Sequence, residues 1–226
     1  MYNVLKLIQR GESRMQLDWN FCLSVVTVVI AIIALLQTKQ QIKLSNKQHL
    51  FDERIENYGI AIGLIQLYEK NRDFFDENED DKAMLSISYW FELMTNNTYL
   101  EQIASVIKNP LKQPDHKEFL VKLEMLSSVA TKIELLFNKK EATLLSEFVF
   151  CYQKSLMIMY QYQILLDDMK KAAQDHQWTF EECQQKMGED QQRDQVHTIL
   201  NALKKAYTML EQENVNEKIK KQIKLK

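Results

Sequence analysis

Glycine and proline are scarce, at four and two residues in a chain of 226. Few strong backbone breakers remain, while Leu, Ile, Met, Gln, Glu and Lys, all favourable in helices, are plentiful, so the expected fold class is all-α. Cysteine is scarce as well: Cys22, Cys151 and Cys183 form no CxxC pair, and Cys22 lies inside an apolar run. That argues against a disulfide framework and for a reducing compartment. An excess of one charge is also missing. With a formal net charge of −2, no overall basic field is present to recruit nucleic acid. The balance hides a polarity, because Asp73, Asp76, Glu77, Glu79, Asp80 and Asp81 crowd one segment while Lys218, Lys220, Lys221, Lys224 and Lys226 crowd another.

What the chain has in strength is one long apolar run. From Trp19 to Thr38 twenty residues carry no formal charge, and Phe21 to Leu36 is interrupted only by Ser24 and Thr27. At about 1.5 Å per residue a helix of that length matches the roughly 30 Å of bilayer hydrocarbon. The expectation is a membrane-spanning helix over 17–38 that places Trp19, Phe21, Leu23, Val25, Val28, Ile30, Ile32, Leu35 and Leu36 in or at the edge of lipid. The Ser24 and Thr27 hydroxyls can bond back to carbonyls one turn earlier. Trp19 suits a membrane interface, and Lys39 and Lys43 can extend toward head groups.

Two other readings fit less well. A cleaved signal peptide wants a shorter apolar region and small residues at the cleavage site, whereas Leu35-Leu36-Gln37-Thr38-Lys39 offers no such pattern. A core helix of a soluble protein would not need so long a charge-free stretch in so small a domain. Orientation is nearly balanced, with Lys6, Arg10 and Arg14 before the span and Lys39, Lys43, Lys47 and Arg54 after it. The unpaired cysteines and the lysine-rich end tip the reading toward a single-pass protein with a cytoplasmic C-terminal domain. The sequon Asn96-Asn97-Thr98 matters only in a glycosylating lumen.

Around the span the chain reads as an N-terminal flank (1–16), a polar helical stalk (39–50), a bundle of about five to six helices (51–212) and a basic tail (213–226). The spanning helix is expected to run on into the stalk. Phe51, Ile55, Tyr58, Ile62 and Ile65 recur every three or four residues and predict one apolar face of the first packing helix. Gly59 and Gly63 on that helix would admit a close neighbour. The run Asp76–Asp81 is too charged to bury and reads as a solvated loop, without the ligand pattern of a calcium loop. Met84, Ile87, Phe91 and Met94 begin the next helix, which breaks at 95–98 and resumes through Leu100, Ile103 and Ile107 before Pro110 and Pro114.

Asp115 and Glu118 have capping-box spacing. Behind them Phe119, Leu123, Leu126, Ala130, Ile133 and Phe137 form a heptad-like, coiled-coil-type stripe that predicts knobs-into-holes contact inside the bundle or across a dimer. Leu144 to Leu166 is apolar almost all round. Glu147, Lys154, Gln153, Gln161 and Gln163 would be expensive in lipid, so a central bundle helix is the better reading. The hydroxyls of Tyr152, Tyr160 and Tyr162 then need buried partners. Thr179 and Glu182 again have capping-box spacing and open a short helix ending at Gly188. Val196, Leu200, Leu203, Tyr207 and Leu210 mark the buried face of a last long helix, with Lys204, Lys205 and Glu211 on the other side.

The passage from Lys39 to Tyr58, a Lys/Gln stalk after one span leading into Phe51-Asp52-Glu53-Arg54 and then Tyr58, resembles a pattern in uncharacterised bacterial single-pass proteins, some of them in phage-defence loci. The resemblance implies an accessory or sensing role in antiviral defence and no catalytic residue. Asp52 and Arg54 themselves read as surface or capping charges.

Catalytic templates mostly fail: there is no Gly-rich phosphate loop, no GxSxG elbow, no HExxH and no paired Cys/His ligand set. No cofactor and no metal are expected, since Asp194 and His197 lack the second Asp/Glu-x-x-His partner that helical di-iron sites require. The catalytic alternative is Arg193 with His197, a cation beside an acid/base on one helical face. It resembles the Arg and His pair of helical HEPN-type ribonucleases, whose motif has at least four residues between the two where this chain has three. The expected function is that of a membrane-tethered interaction or sensing module. Its partners are the lipid bilayer and a protein partner or second copy, met through Phe51–Ile65 or Phe119–Phe137, with the basic tail reaching anionic lipid.

Overall fold

A computed structural model describes the backbone at residues 2–76 and 84–223 and the side chains at 19–75 and 84–223. Every regular element among the described residues is helical. In chain order they are α1 (Tyr2–Asn71), α2 (Asp73–Asp76), α3 (Ile87–Thr95), a 3₁₀ segment (Glu101–Lys108), α4 (Asp115–Leu136), α5 (Lys139–His176), α6 (Phe180–Met187), α7 (Glu189–Gln212) and α8 (Val215–Ile223). The chain divides after Leu50 into two units, Met1–Leu50 and Phe51–Lys226. The acidic run read as a loop lies outside the described residues from Glu77 onward.

In the first unit the helix is continuous through the apolar run and the stalk, as expected from the missing Gly and Pro. An 18-residue window there reaches a mean hydropathy of 2.5 with none of it buried, so this helix is long and apolar enough to cross a membrane. The hydroxyls of Ser24, Thr27 and Thr38 bond back to the carbonyls of Asn20, Leu23 and Ala34 at 2.9, 2.8 and 2.8 Å. Each of these hydroxyl donors is thereby met within the helix itself.

In the second unit α5 is the hub, packed against α4 on one side and α7 on another, with α3, α6 and α8 around it. Its almost wholly apolar sequence is explained by that position, because helices cover it on several faces. The tyrosine hydroxyls find partners. Tyr152 donates to the Met94 carbonyl at 2.7 Å, and Tyr160 accepts the Leu111 amide at 2.7 Å and meets His116 Nδ1 at 2.8 Å. The stripe on α4 is buried from Phe119 to Ile133, Phe137 follows it, and the whole stripe is spent inside the unit. Among the described residues Ser146 Oγ is the one buried side-chain polar atom without a partner.

The face expected on α1 is out of phase. The residues turned inward are Asn57, Ala61, Leu64, Tyr68 and Asn71, flanked by Ile65 and Leu67, whereas Tyr58 and Ile62 are half-buried and pack against the core from its edge, Phe51 is half-buried and Ile55 is 46% exposed. The observed stripe sits one residue back, about 100° round the helix. Side-chain hydrophobicity does not mark it, because two of its members are asparagines whose side-chain amides find hydrogen-bond partners. Asn57 Nδ2 donates to the Glu53 carbonyl at 2.8 Å, and Asn71 Nδ2 donates to the carbonyls of Leu67 and Leu93 at 2.9 and 3.3 Å. Gly59 faces open space, and a Cβ on Gly63 would meet only Asn97 Nδ2 at 3.8 Å, so neither glycine makes room for a helix.

Helix ends follow the sequence in one case and not in another. At α6 the capping box forms in full: Thr179 Oγ1 accepts the Glu182 amide at 3.2 Å, Glu182 Oε2 accepts the Thr179 amide at 2.8 Å, and Gly188 closes the helix at φ +69°. Thr179→Ala is expected to lower stability by about 1 kcal/mol, read as a shift of the guanidinium midpoint; an unchanged midpoint would show the cap to be idle. At α4 the box does not form. Asp115 is already the first helical residue, behind Pro114, so its carboxylate cannot serve as the N-cap acceptor. Asp115 and Glu118 favour that terminus through the helix dipole instead.

The segment read as a tail from residue 213 is helical over Val215–Ile223, and Val215 and Ile219 join the core. Two apolar residues one turn apart suffice to dock a short helix when a groove is waiting. Lys224 and Lys226 lie outside the described residues.

Candidate functional site

Arg193 and His197 do occupy α7 one turn apart, but the structure employs Arg193 elsewhere. Glu189 opens α7 with its side chain fully buried, and its carboxylate is met by the Tyr162 hydroxyl on one oxygen. The other oxygen accepts Gln184 Nε2 at 2.8 Å and Arg193 Nη1 at 3.2 Å. The second guanidinium arm holds Asp190 Oδ1 at 2.8 Å, and Tyr162 also accepts the Met84 amide at 3.0 Å. Burial first, then the bond to Glu189, pushes the Tyr162 phenol above its ordinary range. This cluster ties α5, α6, α7 and the approach to α3 together. Among the described residues no hydrogen bond joins Arg193 to His197, which is half-exposed. A guanidinium already held by two carboxylates, and 8% exposed, is placed to neutralise Glu189 rather than to meet a phosphate.

Asp194 and His197 do not belong to any ligand set: among the described residues no three His, Cys, Asp or Glu side chains converge. Cys151 is half-buried, and its thiol is held above the ordinary range, first by burial and then by Glu147, so it is not activated as a nucleophile.

Arg54 sits where α1 enters the second unit. Its Nε donates to the Leu136 carbonyl at 2.8 Å, its Nη1 donates to the Gln222 carbonyl at 3.0 Å, and the guanidinium lies 5.8 Å from the Phe137 ring centre. One cation thus serves the carbonyl ends of α4 and α8, the capping role read for it, while Asp52 remains exposed. Beside it Lys132 reaches Glu53 at 3.0 Å and the Asn138 amide donates to Gln222 Oε1 at 2.8 Å. The lysines of the C-terminal segment are partly matched: Lys220 pairs with Glu217 at 2.8 Å, and Glu213 is shared by Lys140 at 2.9 Å and Lys218 at 3.4 Å.

The feature that sequence reading missed is a cleft between α1, α5, α7 and α8, of about 230 Å³. Ile62, Ile65, Leu210 and Val215 form its apolar wall. At one end the Tyr207 hydroxyl donates to Glu69 Oε1 at 3.1 Å, and Glu211 also lines the cleft. Burial first, and then those two carboxylates, hold the Tyr207 phenol above its ordinary range. At the other end the Tyr58 hydroxyl bonds to Asn216 Oδ1, and Asn214 lies nearby at φ +54°. No motif announces this arrangement, because three stretches far apart in sequence supply it: α1, α5 and the consecutive helices α7 and α8. A scan against models of protein families and searches of the curated proteins and of the solved structures find no match to this chain.

Proposed function

We propose that the protein is a membrane-tethered helical module that works through a protein partner or a second copy, its C-terminal domain on the cytoplasmic side. One observation carries the reading. The second unit closes a core of its own from Ala61 to Ile219, yet the apolar run before it is uncovered, with the nine residues expected in lipid from 46% exposed at Val25 to 71% at Leu35. So large a continuous apolar surface is not kept in water, and lipid is the solvent that suits it. The domain itself adds a fixed scaffold rather than a reactive centre, and confinement at a surface lets weak contacts assemble. Because the Phe119–Phe137 stripe is spent internally, contact with a partner falls to exposed side chains such as Val121, Met125 and Leu135 on α4. The further reading of an accessory role in bacterial defence rests on the resemblance at Phe51–Tyr58.

The test is alkaline carbonate extraction of membranes carrying the full chain. The protein is expected to stay in the pellet; release into the supernatant would defeat the proposal. Val28→Lys with Ile32→Lys, at about 2.5–3.5 kcal/mol each near the centre of a span, is expected to move it to the soluble fraction.

A further inference from the structure

We infer that α1 pairs in parallel with the α1 of a second copy along its stalk, through a seam of Gln41, Leu44, Gln48, Phe51 and Ile55. The inference rests on the tethered reading and names the partner met at this face. The seam residues alternate at spacings of three and four, the a and d positions of a heptad, with Gln41, Gln48 and Ile55 at a and Leu44 and Phe51 at d. α1 holds that register without a break, because it is one helix from the apolar run into the second unit. Every residue from Lys39 to Leu50 is exposed, Leu44 by 67%, and Ile55 beyond them is 46% exposed. Helices in proteins owe most of their stability to packing one face, so a stretch open all round leaves its apolar edge for a partner.

Charge and symmetry select a second copy as that partner. All copies enter the membrane the same way round, so two stalks meet in parallel and at equal height. In a parallel pair each g residue faces the e residue of the next heptad in the other chain, and here Lys47 faces Asp52 of the second copy, twice by symmetry. A glutamine at a carries both donor and acceptor, so Gln41 and Gln48 each bond to the same residue across the two-fold axis. The seam ends at Ile55 because the next d residue, Tyr58, is half-buried and bonded to Asn216 of α8. Toward the membrane the register runs back through Ala34 and Thr27 at a and Ile30 and Leu23 at d, and small residues at a let two helices approach closely in lipid.

The experiment is disulfide trapping of the full chain in carbonate-washed membranes, with Cys22→Ser and Cys151→Ser and the buried Cys183 kept. Single cysteines replace Gln41, Leu44 or Gln48 in the seam and Lys39 or Asn46 on the far side of the helix, and are oxidised with copper phenanthroline before electrophoresis without reductant. The seam variants are expected to give a strong band at twice the mass of the chain, and Lys39→Cys and Asn46→Cys little or none. Added to Leu44→Cys, Asp52→Lys is expected to remove most of that band, and Lys47→Asp beside it to restore the band. Asp52 is exposed, so the fold is spared. Equal bands from both sides of the helix, no band from the seam, a band at another mass, or a band untouched by Asp52→Lys would each overturn the pairing and leave tethering standing. An empty carbonate pellet would overturn both.

Discussion

Arg193→Ala is expected to cost about 3–5 kcal/mol of folding free energy, the usual consequence of removing one partner of a buried ion pair. Glu189 has no exposed surface, and its carboxylate would retain only the Tyr162 hydroxyl and the Gln184 amide against a full negative charge. Asp190, whose side chain is mostly exposed, would return to water at little loss. Guanidinium unfolding of the full chain in detergent, followed by tryptophan fluorescence, measures the change. The control is Glu189→Gln combined with Arg193→Met, which removes both charges and keeps similar volumes. That double variant should lose less than Arg193→Ala alone. If the single variant loses under about 1 kcal/mol, the cluster does not hold these helices together. The control also separates catalysis from stability, since a loss of biological activity in Arg193→Ala with normal activity in the double variant reports folding.

The second large effect is expected at Phe148, whose replacement by alanine should cost about 3–5 kcal/mol. Its ring is fully buried on α5 and touches three others, Tyr68 of α1 at 6.1 Å, Tyr152 at 6.0 Å and Tyr207 of α7 at 6.4 Å between centres. Tyr68 in turn packs on Phe75, and Phe75 on Trp90, so one ring anchors a chain of aromatic contacts running to α2 and α3. Tyr152 cannot shift to fill the space without giving up its bond to the Met94 carbonyl. A cavity is therefore the expected outcome, and Phe148→Leu, which restores part of the volume, should lose less. Equal midpoints for wild type and Phe148→Ala would refute this account of the core.

Much of the helical plan was legible because local chemistry sets it. Thr179, Glu182 and Gly188 mark both ends of α6 through bonds within a few residues, and no distant partner is needed. The buried face of α7, Val196 to Leu210, stood out because its other face is charged, leaving the periodicity one phase to adopt. On α1 the same periodicity was ambiguous, since Ile60, Ala61, Ile62, Leu64, Ile65 and Leu67 spread apolar groups round more than half the helix. Spacing then gives the element but not its rotation, and the asparagines at 57 and 71 complete a stripe that no hydrophobicity pattern reports.

By itself, then, the sequence determined the helical class, the long charge-free apolar run, the breaks between most helices and the need of the α5 tyrosines for partners. Each follows from backbone propensity, residue period or the cost of an unmet polar group, all of which act over a few residues. Only the tertiary structure decided that Arg193 neutralises Glu189, that Arg54 serves the ends of α4 and α8, that Val215 and Ile219 belong to the core, and that Tyr207 donates to Glu69 beside an apolar cleft. Those outcomes depend on which helices meet. A charge or a short amphipathic segment takes its role from the surface that arrives beside it.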